Sequence, residues 1–187
     1  MSNPNIFTVQ ERMSHLPDVQ KSYMFELYIP AFTDLSADGQ GVTDEDLIIR
    51  AKTATIPGRD HEMLESVFMG TKQYFVGKAT YSSTLEVSFD EFEDQKMTKY
   101  FKAWQQRLFN QETGHMEVST KSQYTKNIVL YLYKGDGTPL EKSIVFVNAW
   151  PKTTGDSALD MAGAEKVTRS ATFQYDFWKL IDSAGAW

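Results

Sequence analysis

One segment of helical period in a chain otherwise of strand period most constrains the fold. Between Gln95 and Asn110 the apolar residues Met97, Tyr100, Phe101, Trp104, Leu108 and Phe109 recur every three or four positions, the spacing of one helix face. Lys96, Lys99, Lys102, Gln106 and Arg107 occupy the opposite face. A lone helix with a heavy aromatic stripe has to bury that stripe, and in a chain of strands it does so on a sheet. The acidic run Asp90, Glu91, Glu93 and Asp94 just before it complements the positive end of the helix dipole.

The remaining periodic segments read as strands. Tyr23 to Ile29 alternates with a period of two, and Leu47 to about Thr55 does so again before Pro57 and Gly58 end it. Glu65 to Gly77 reads as a strand or hairpin bending at Gly70. Leu85, Val87 and Phe89 define the next strand, then Ile128 to Tyr133, a Gly135-Asp136-Gly137 turn, and a returning antiparallel segment from Leu140 to Asn148 that Trp150 and Pro151 break. A long last strand runs from Val167 to Phe177. The expectation is a mainly antiparallel β-protein with one helix, in one domain over residues 23–178, with an N-terminal arm over 1–22 and a short tail over 179–187.

Composition removes several function classes. A net charge of -6 over 187 residues argues against wrapping duplex DNA, which needs concentrated Lys and Arg. It is compatible with letting DNA pass without sticking. No cysteine is present, so disulfides, thiolate metal sites and cysteine nucleophiles are excluded. Residues 1–20 hold no apolar core of signal-peptide length, and no stretch approaches the roughly 20 apolar residues of a membrane helix. The expected setting is cytoplasmic, without membrane partners, unless a machine carries the protein out.

Candidate chemistry is sparse. Asp34, Ser36, Asp38, Gly39 and Glu45 stand as D-x-S-x-D-G-x5-E, close to a calcium loop of the EF-hand type. The flanking segments read as strands where that motif has helices, and the competing reading is a solvated acidic loop; a calorimetric calcium titration separates the two. His15, His61 and His115 stand apart, without a second histidine at ligand spacing. There is no G-x-S-x-G, no G-x-x-x-x-G-K and no G-x-G-x-x-G. No enzyme and no cofactor are suggested. The aromatics, Trp104, Trp150, Trp178 and Trp187 among them, suit a core or an interface. A small-ligand-binding β-barrel of lipocalin type is the alternative from another class.

Several segments in order resemble the tail tube proteins of contractile-tailed, T-even-like bacteriophages. Ala51 to Gly58 looks like the family's strand ending in a Pro-Gly turn, and Val67-Phe68-Met69-Gly70 like the segment after it. Lys99, Tyr100, Phe101, Trp104 and Gln105 match the family helix with its Phe-x-x-Trp-Gln pattern. Asn148-Ala149-Trp150-Pro151 resembles a Trp-Pro strand end; Leu159 and Asp160 precede a closing strand, Arg169 to Trp178. The loop from Thr33 to Asp46, the N-terminal arm and the tail after Trp178 depart from the pattern.

The resemblance implies two packed antiparallel sheets in a sandwich or barrel with one flanking helix, a fold shared with the haemolysin-coregulated protein of type VI secretion. It implies homo-hexameric rings stacked into a tube within a sheath, bounded by baseplate and tail terminator proteins, with DNA in transit, in a virion tail assembled in the host bacterial cytoplasm. A baseplate tube-initiator or the tube subunit of a bacterial contractile injection system fits the same resemblance. Inter-subunit contacts are expected at Pro57, Gly58, Arg59, His61, Lys99 and Lys102. The helix is expected outside the channel wall, its cationic face Lys96, Lys99, Lys102 and Arg107 left free.

Overall fold

A computed structural model describes residues 17–32, 41–155, 157 and 166–183. Among the described residues, nine strands and two α-helices follow in the order β1 (Phe25–Tyr28), α1 (Asp44–Arg50), β2 (Ala51–Ala54), β3 (Arg59–Phe68), β4 (Thr71–Tyr81), β5 (Thr84–Asp90), α2 (Lys96–Leu108), β6 (Lys126–Leu132), β7 (Lys142–Thr154), β8 (Thr168–Gln174) and β9 (Phe177–Asp182). All pairings are antiparallel. One sheet has the order β1-β6-β7-β8-β5-β2 with β9 also on β7, and β3 and β4 form a separate two-stranded sheet.

Strand β7 joins the two halves of the larger sheet. Its first part pairs with β6 and β9, and its second part, from Trp150, pairs with β8. Asn148, at φ +56°, marks the change of direction between them. Trp150 and Pro151 therefore do not end this strand as expected from sequence. The ladder is irregular just after Pro151, a place where a residue without an N–H is tolerated. Conversely, the long last strand is interrupted at Tyr175 and Asp176: β8 ends at Gln174, and β9 carries the sheet on to Asp182.

The two halves fold toward each other over one core. Leu27, Leu85, Val87, Phe89, Ile128, Leu130, Ile144, Phe146, Ala171 and Phe173 line it from the strands, Tyr175 from the break after β8, and Met97, Tyr100, Phe101 and Trp104 close it from α2. The helix thus buries its aromatic stripe on sheet, as its period requires. Trp104 is fully buried, edge-on to Phe32 at 5.1 Å and to Tyr100 at 5.7 Å, and its Nε1–H donates to the Tyr124 carbonyl at 2.9 Å.

A second helix was not expected. Asp44–Arg50 is helical where the sequence reads as the start of a strand, because Thr43 closes a capping box with Asp46 and Asp44, Glu45 and Asp46 all lie in the first turn. Those local signals outweigh the β-branched Ile48 and Ile49. The strand survives only as β2.

The acidic run before α2 acts through specific bonds rather than as diffuse charge. Glu91 accepts from the Met97 and Thr98 amides at 3.3 and 2.8 Å, satisfying N–H groups that a helix start leaves unpaired. Asp94 accepts from the Lys96 amide and from both terminal nitrogens of Arg50, at 2.9 and 2.6 Å. Arg50 thereby holds the Asp94 carboxyl down at about 2. Burial pushes the Asp90 carboxyl up, but Lys166 and Lys52 beside it more than offset that and leave it lowered.

Candidate assembly surface

The β3–β4 hairpin stands apart from everything above. Phe68 faces Thr71 across a two-residue turn of Met69 and Gly70, both with positive φ, the backbone of a tight hairpin turn whose twist suits its strands. The register runs from Arg59 opposite Tyr81 to Phe68 opposite Thr71, with one irregularity beside Glu62 where two residues of β4 face one of β3. Gly77 lies there, and a Cβ on it would come within 2.9 Å of the Glu62 carbonyl oxygen. All ten residues of β3 are exposed, and of β4 only Gly77 is partly covered. Exposed apolar side chains concentrate here: Met63, Leu64, Val67, Phe68, Tyr74, Phe75 and Val76, with Met69 at the tip 90% exposed.

Among the described residues the hairpin is fastened to the body at its base. The Arg59 guanidinium lies 4.9 Å from the centre of the Trp178 ring, and the Tyr81 hydroxyl donates to the Asp176 carbonyl at 3.1 Å. Asp176 is itself a junction. Its carboxylate accepts from Lys121 Nζ at 2.6 Å and from Asn148 Nδ2 at 2.7 Å, and Lys121 followed by Asn148 holds it below the usual carboxylate range. The break between β8 and β9, the bend of β7 and the hairpin root thus share one anchor.

A second apolar cluster, its centre buried, lies on the face of β1, β6, β7 and β9 that points away from the core. Val129, Tyr131 and Val145 cluster there with Tyr28, Tyr133, Val147 and Ile181, so this half of the sheet is apolar on both faces. An open groove of about 720 Å³ runs over it, lined by Pro30, Val129, Val145, Val147, Phe177 and Ile181 among others. At its margin the Tyr133 hydroxyl donates to Glu26 Oε2 at 2.7 Å; burial and that carboxylate raise the phenol to about 12.

The residues singled out from sequence fall on two separate surfaces. Pro57 and Gly58 form the loop into β3, while Arg59 and His61 belong to the strand itself and line a small cavity at the hairpin root with Ala79, Tyr81, Phe177 and Trp178. Lys99 and Lys102 lie exposed on α2 and form no ion pair among the described residues. The rest of that cationic face is engaged, contrary to expectation. Lys96 pairs with Asp46 at 3.0 Å, and the Arg107 guanidinium stacks 4.9 Å from the Phe32 ring.

Sequence reading missed the apolar load of the hairpin. The signal was present: Met63-Leu64, Val67-Phe68 and Phe75-Val76 are adjacent apolar pairs, and neighbours along a strand point to opposite faces. Of the acidic loop, Asp34, Ser36, Asp38 and Gly39 lie outside the described residues. Glu45 sits in the first turn of α1, so a helix does follow that loop, while the described element before it is the strand β1. Among the described residues no group of three His, Asp or Glu side chains could hold a metal, and no helix is long and apolar enough to cross a membrane.

The family model of the phage tail tube protein matches residues 16–181. The chain belongs to that family. A tail tube protein is a structural subunit of a virion tail, which accords with a molecule whose most conspicuous surface is an unpartnered hairpin. No curated protein sequence matches the chain. Among solved structures, a chain of the anti-feeding prophage baseplate, solved with 6-fold symmetry, is similar at a TM-score of 0.61 and 11% identity, covering 89% of this chain and 98% of that one. A chain of the PVC sheath/tube terminator gives 0.59 at 12% identity over 89% and 99%. One from the PVC sheath–tube complex, an extracellular contractile injection system in its extended state, gives 0.57 at 13% over 94% and 97%. These likenesses establish the tail tube protein's fold.

Proposed function

We propose that this tail tube protein assembles as hexameric rings that stack into the tube of a contractile tail and conduct DNA, with no catalytic step. The observation that carries the reading is the β3–β4 hairpin, a two-stranded sheet with both faces and both outer edges open. Such a hairpin is marginal in water by itself and exposes the edges that uncontrolled pairing exploits. Burying it on further copies removes both problems. Pro57, Gly58, Arg59 and His61 lie at its root and are assigned to that contact. Lys99 and Lys102, on the far side of α2 from the core, are assigned to the outside of the wall, facing a sheath. Baseplate and terminator proteins would contact the two ends of the tube, and assembly would take place in the host bacterial cytoplasm. The negative net charge suits a channel that does not retain phosphate.

Negative-stain microscopy of the purified chain tests the reading: rings about six subunits round, or tubes, support it, and a strict monomer at high concentration sinks it. A channel lined mainly by Lys and Arg in a ring reconstruction would overturn the charge argument. A second reading, the tube subunit of a protein-injecting contractile system, is favoured by the similarity of the chain to anti-feeding prophage and PVC components. Capsid and terminase genes beside the coding sequence would decide for the phage tail.

A further inference from the structure

A cavity of about 210 Å³ opens between α2 and the place where β7 ends beside β8. Lys102 and Gln105 of α2, Gly155 just after β7, and Arg169 and Ser170 of β8 line it together with Phe101. Its polar groups are left with donors to spare. The Arg169 guanidinium is held by one nitrogen: Nε donates to Thr98 Oγ1 at 3.0 Å, and that hydroxyl donates on to Glu91 Oε2 at 2.5 Å. Among the described residues the two terminal nitrogens of Arg169 have no hydrogen-bond partner, and Lys102 has no ion-pair partner. Gln105 accepts from the Thr154 hydroxyl at 3.2 Å through Oε1, which leaves its amide nitrogen unused. Gly155 makes room for the Ser170 hydroxyl, since a Cβ there would stand 1.9 Å from Ser170 Oγ.

None of the described residues lining the cavity is acidic. Glu91, 3.7 Å from Arg169 Nε, is 6% exposed and spends its oxygens on Thr98 and the start of α2. In a chain with 25 acidic and 19 basic residues, a cavity with two cations, spare neutral donors and no acid of its own is complementary to an anion. Its size narrows the choice. A site for a whole small-molecule ligand takes about 300–1,000 Å³, so this one suits a single functional group carried on something larger. Its fork narrows it again, because the paired N–H groups of a guanidinium match the two oxygens of a carboxylate.

We propose that the cavity between α2 and the β7–β8 end is a binding site for one carboxylate, presented by an Asp or Glu side chain of a protein partner. Arg169 supplies the fork, already aimed by Thr98 and Glu91; Lys102 adds charge at the rim, and Gln105 and Ser170 supply neutral donors. The carboxylate follows from the lining residues alone. The choice of a protein as its source rests on the tube reading, in which this side of α2 faces a sheath.

Saturation-transfer NMR observed on the ligand reads weak binding to the chain in any state of assembly. The probes are N-acetyl-glutamate amide, which presents its carboxylate as a protein side chain does, and N-acetyl-glutamine amide, which lacks the charge. Saturable binding of the first and none of the second is expected. Arg169→Lys keeps the charge without the fork and should weaken binding about tenfold. Lys102→Gln should weaken it about two- to fivefold, and it decides the matter if the Arg169 variant does not fold. Lys134→Gln, in the turn after β6, should change nothing. Equal binding of both probes, parent-like binding by both Arg169→Lys and Lys102→Gln, or displacement by inorganic phosphate at a lower concentration than by acetate overturns the carboxylate site. Loss of probe binding once tubes have formed, or tighter binding of free malonate than of the capped probe, overturns the protein source. A chain that forms no tube refutes the tube reading and the source with it, while saturable binding of the capped glutamate still upholds the carboxylate site.

Discussion

Replacing Trp104 with alanine removes the centre of the α2 stripe. The side chain is fully buried among Phe32, Tyr100 and Phe173, with ring centres 5.1 to 5.8 Å away. Truncating such an aromatic costs about 3–5 kcal/mol in lost transfer energy and cavity. The Tyr124 carbonyl also loses its 2.9 Å donor, which adds about 1 kcal/mol. These effects overlap, and a loss of about 4 kcal/mol is expected, a large share of the roughly 5–15 kcal/mol that holds a domain folded. Measured by urea unfolding at a concentration where the chain is monomeric, a slope near 2 kcal/mol/M puts the midpoint about 2 M lower. Trp104→Phe keeps a ring in place and loses the donor, so it should cost about 1–2 kcal/mol. A Trp104→Ala loss under about 2 kcal/mol, or Trp104→Phe costing as much as Trp104→Ala, would refute the claim that the stripe anchors the helix to the sheets.

The Arg50–Asp94 pair makes stability depend on acid. Asp94 titrates at about 2 in the folded chain, against 3.8 ordinarily, so its contribution is present above pH 3.8 and is lost as pH falls through 2. Asp94 is one-third exposed, so screening reduces that contribution to about 1 kcal/mol, and Asp94→Asn should abolish that part of the pH dependence in unfolding titrations. Glu91→Ala should cost about 1–2 kcal/mol and speed hydrogen exchange at the Met97 and Thr98 amides before any other part of α2. Phe68→Ala, in contrast, should change subunit stability by less than about 0.5 kcal/mol, because Phe68 is 73% exposed, yet impair assembly. Charge reversal at Lys99 and Lys102 should leave ring formation intact and weaken sheath binding in a co-sedimentation assay; unchanged sheath binding would mean that the two lysines are merely solvated.

Much of the fold was legible because its signals are local. The α2 stripe, the alternation in β5 and the Met69-Gly70 turn each follow from side-chain period or backbone preference within a few residues. The signals for α1 were equally local, in Thr43 and Asp46, but stood beside β-branched residues that pull the other way. The course of β7 through Pro151 and the break at Asp176 were not legible. Whether a strand continues past an imperfect residue depends on the partners supplied by β8 and β9, which lie far away in sequence.

Sequence by itself determined that one helix must lie on antiparallel sheets and that no cysteine chemistry is present. Only the tertiary structure decided which apolar residues are left over. Alternation labels two faces of a strand without saying which is covered, and coverage is set by elements distant in the chain. Packing α2 against the folded sheet satisfied the stripe of Tyr100, Phe101 and Trp104, and drew Lys96 and Arg107 into contacts with Asp46 and Phe32. No other described element of the chain covers Phe68 and Phe75. The hairpin is left uncovered because the rest of the domain closes without it.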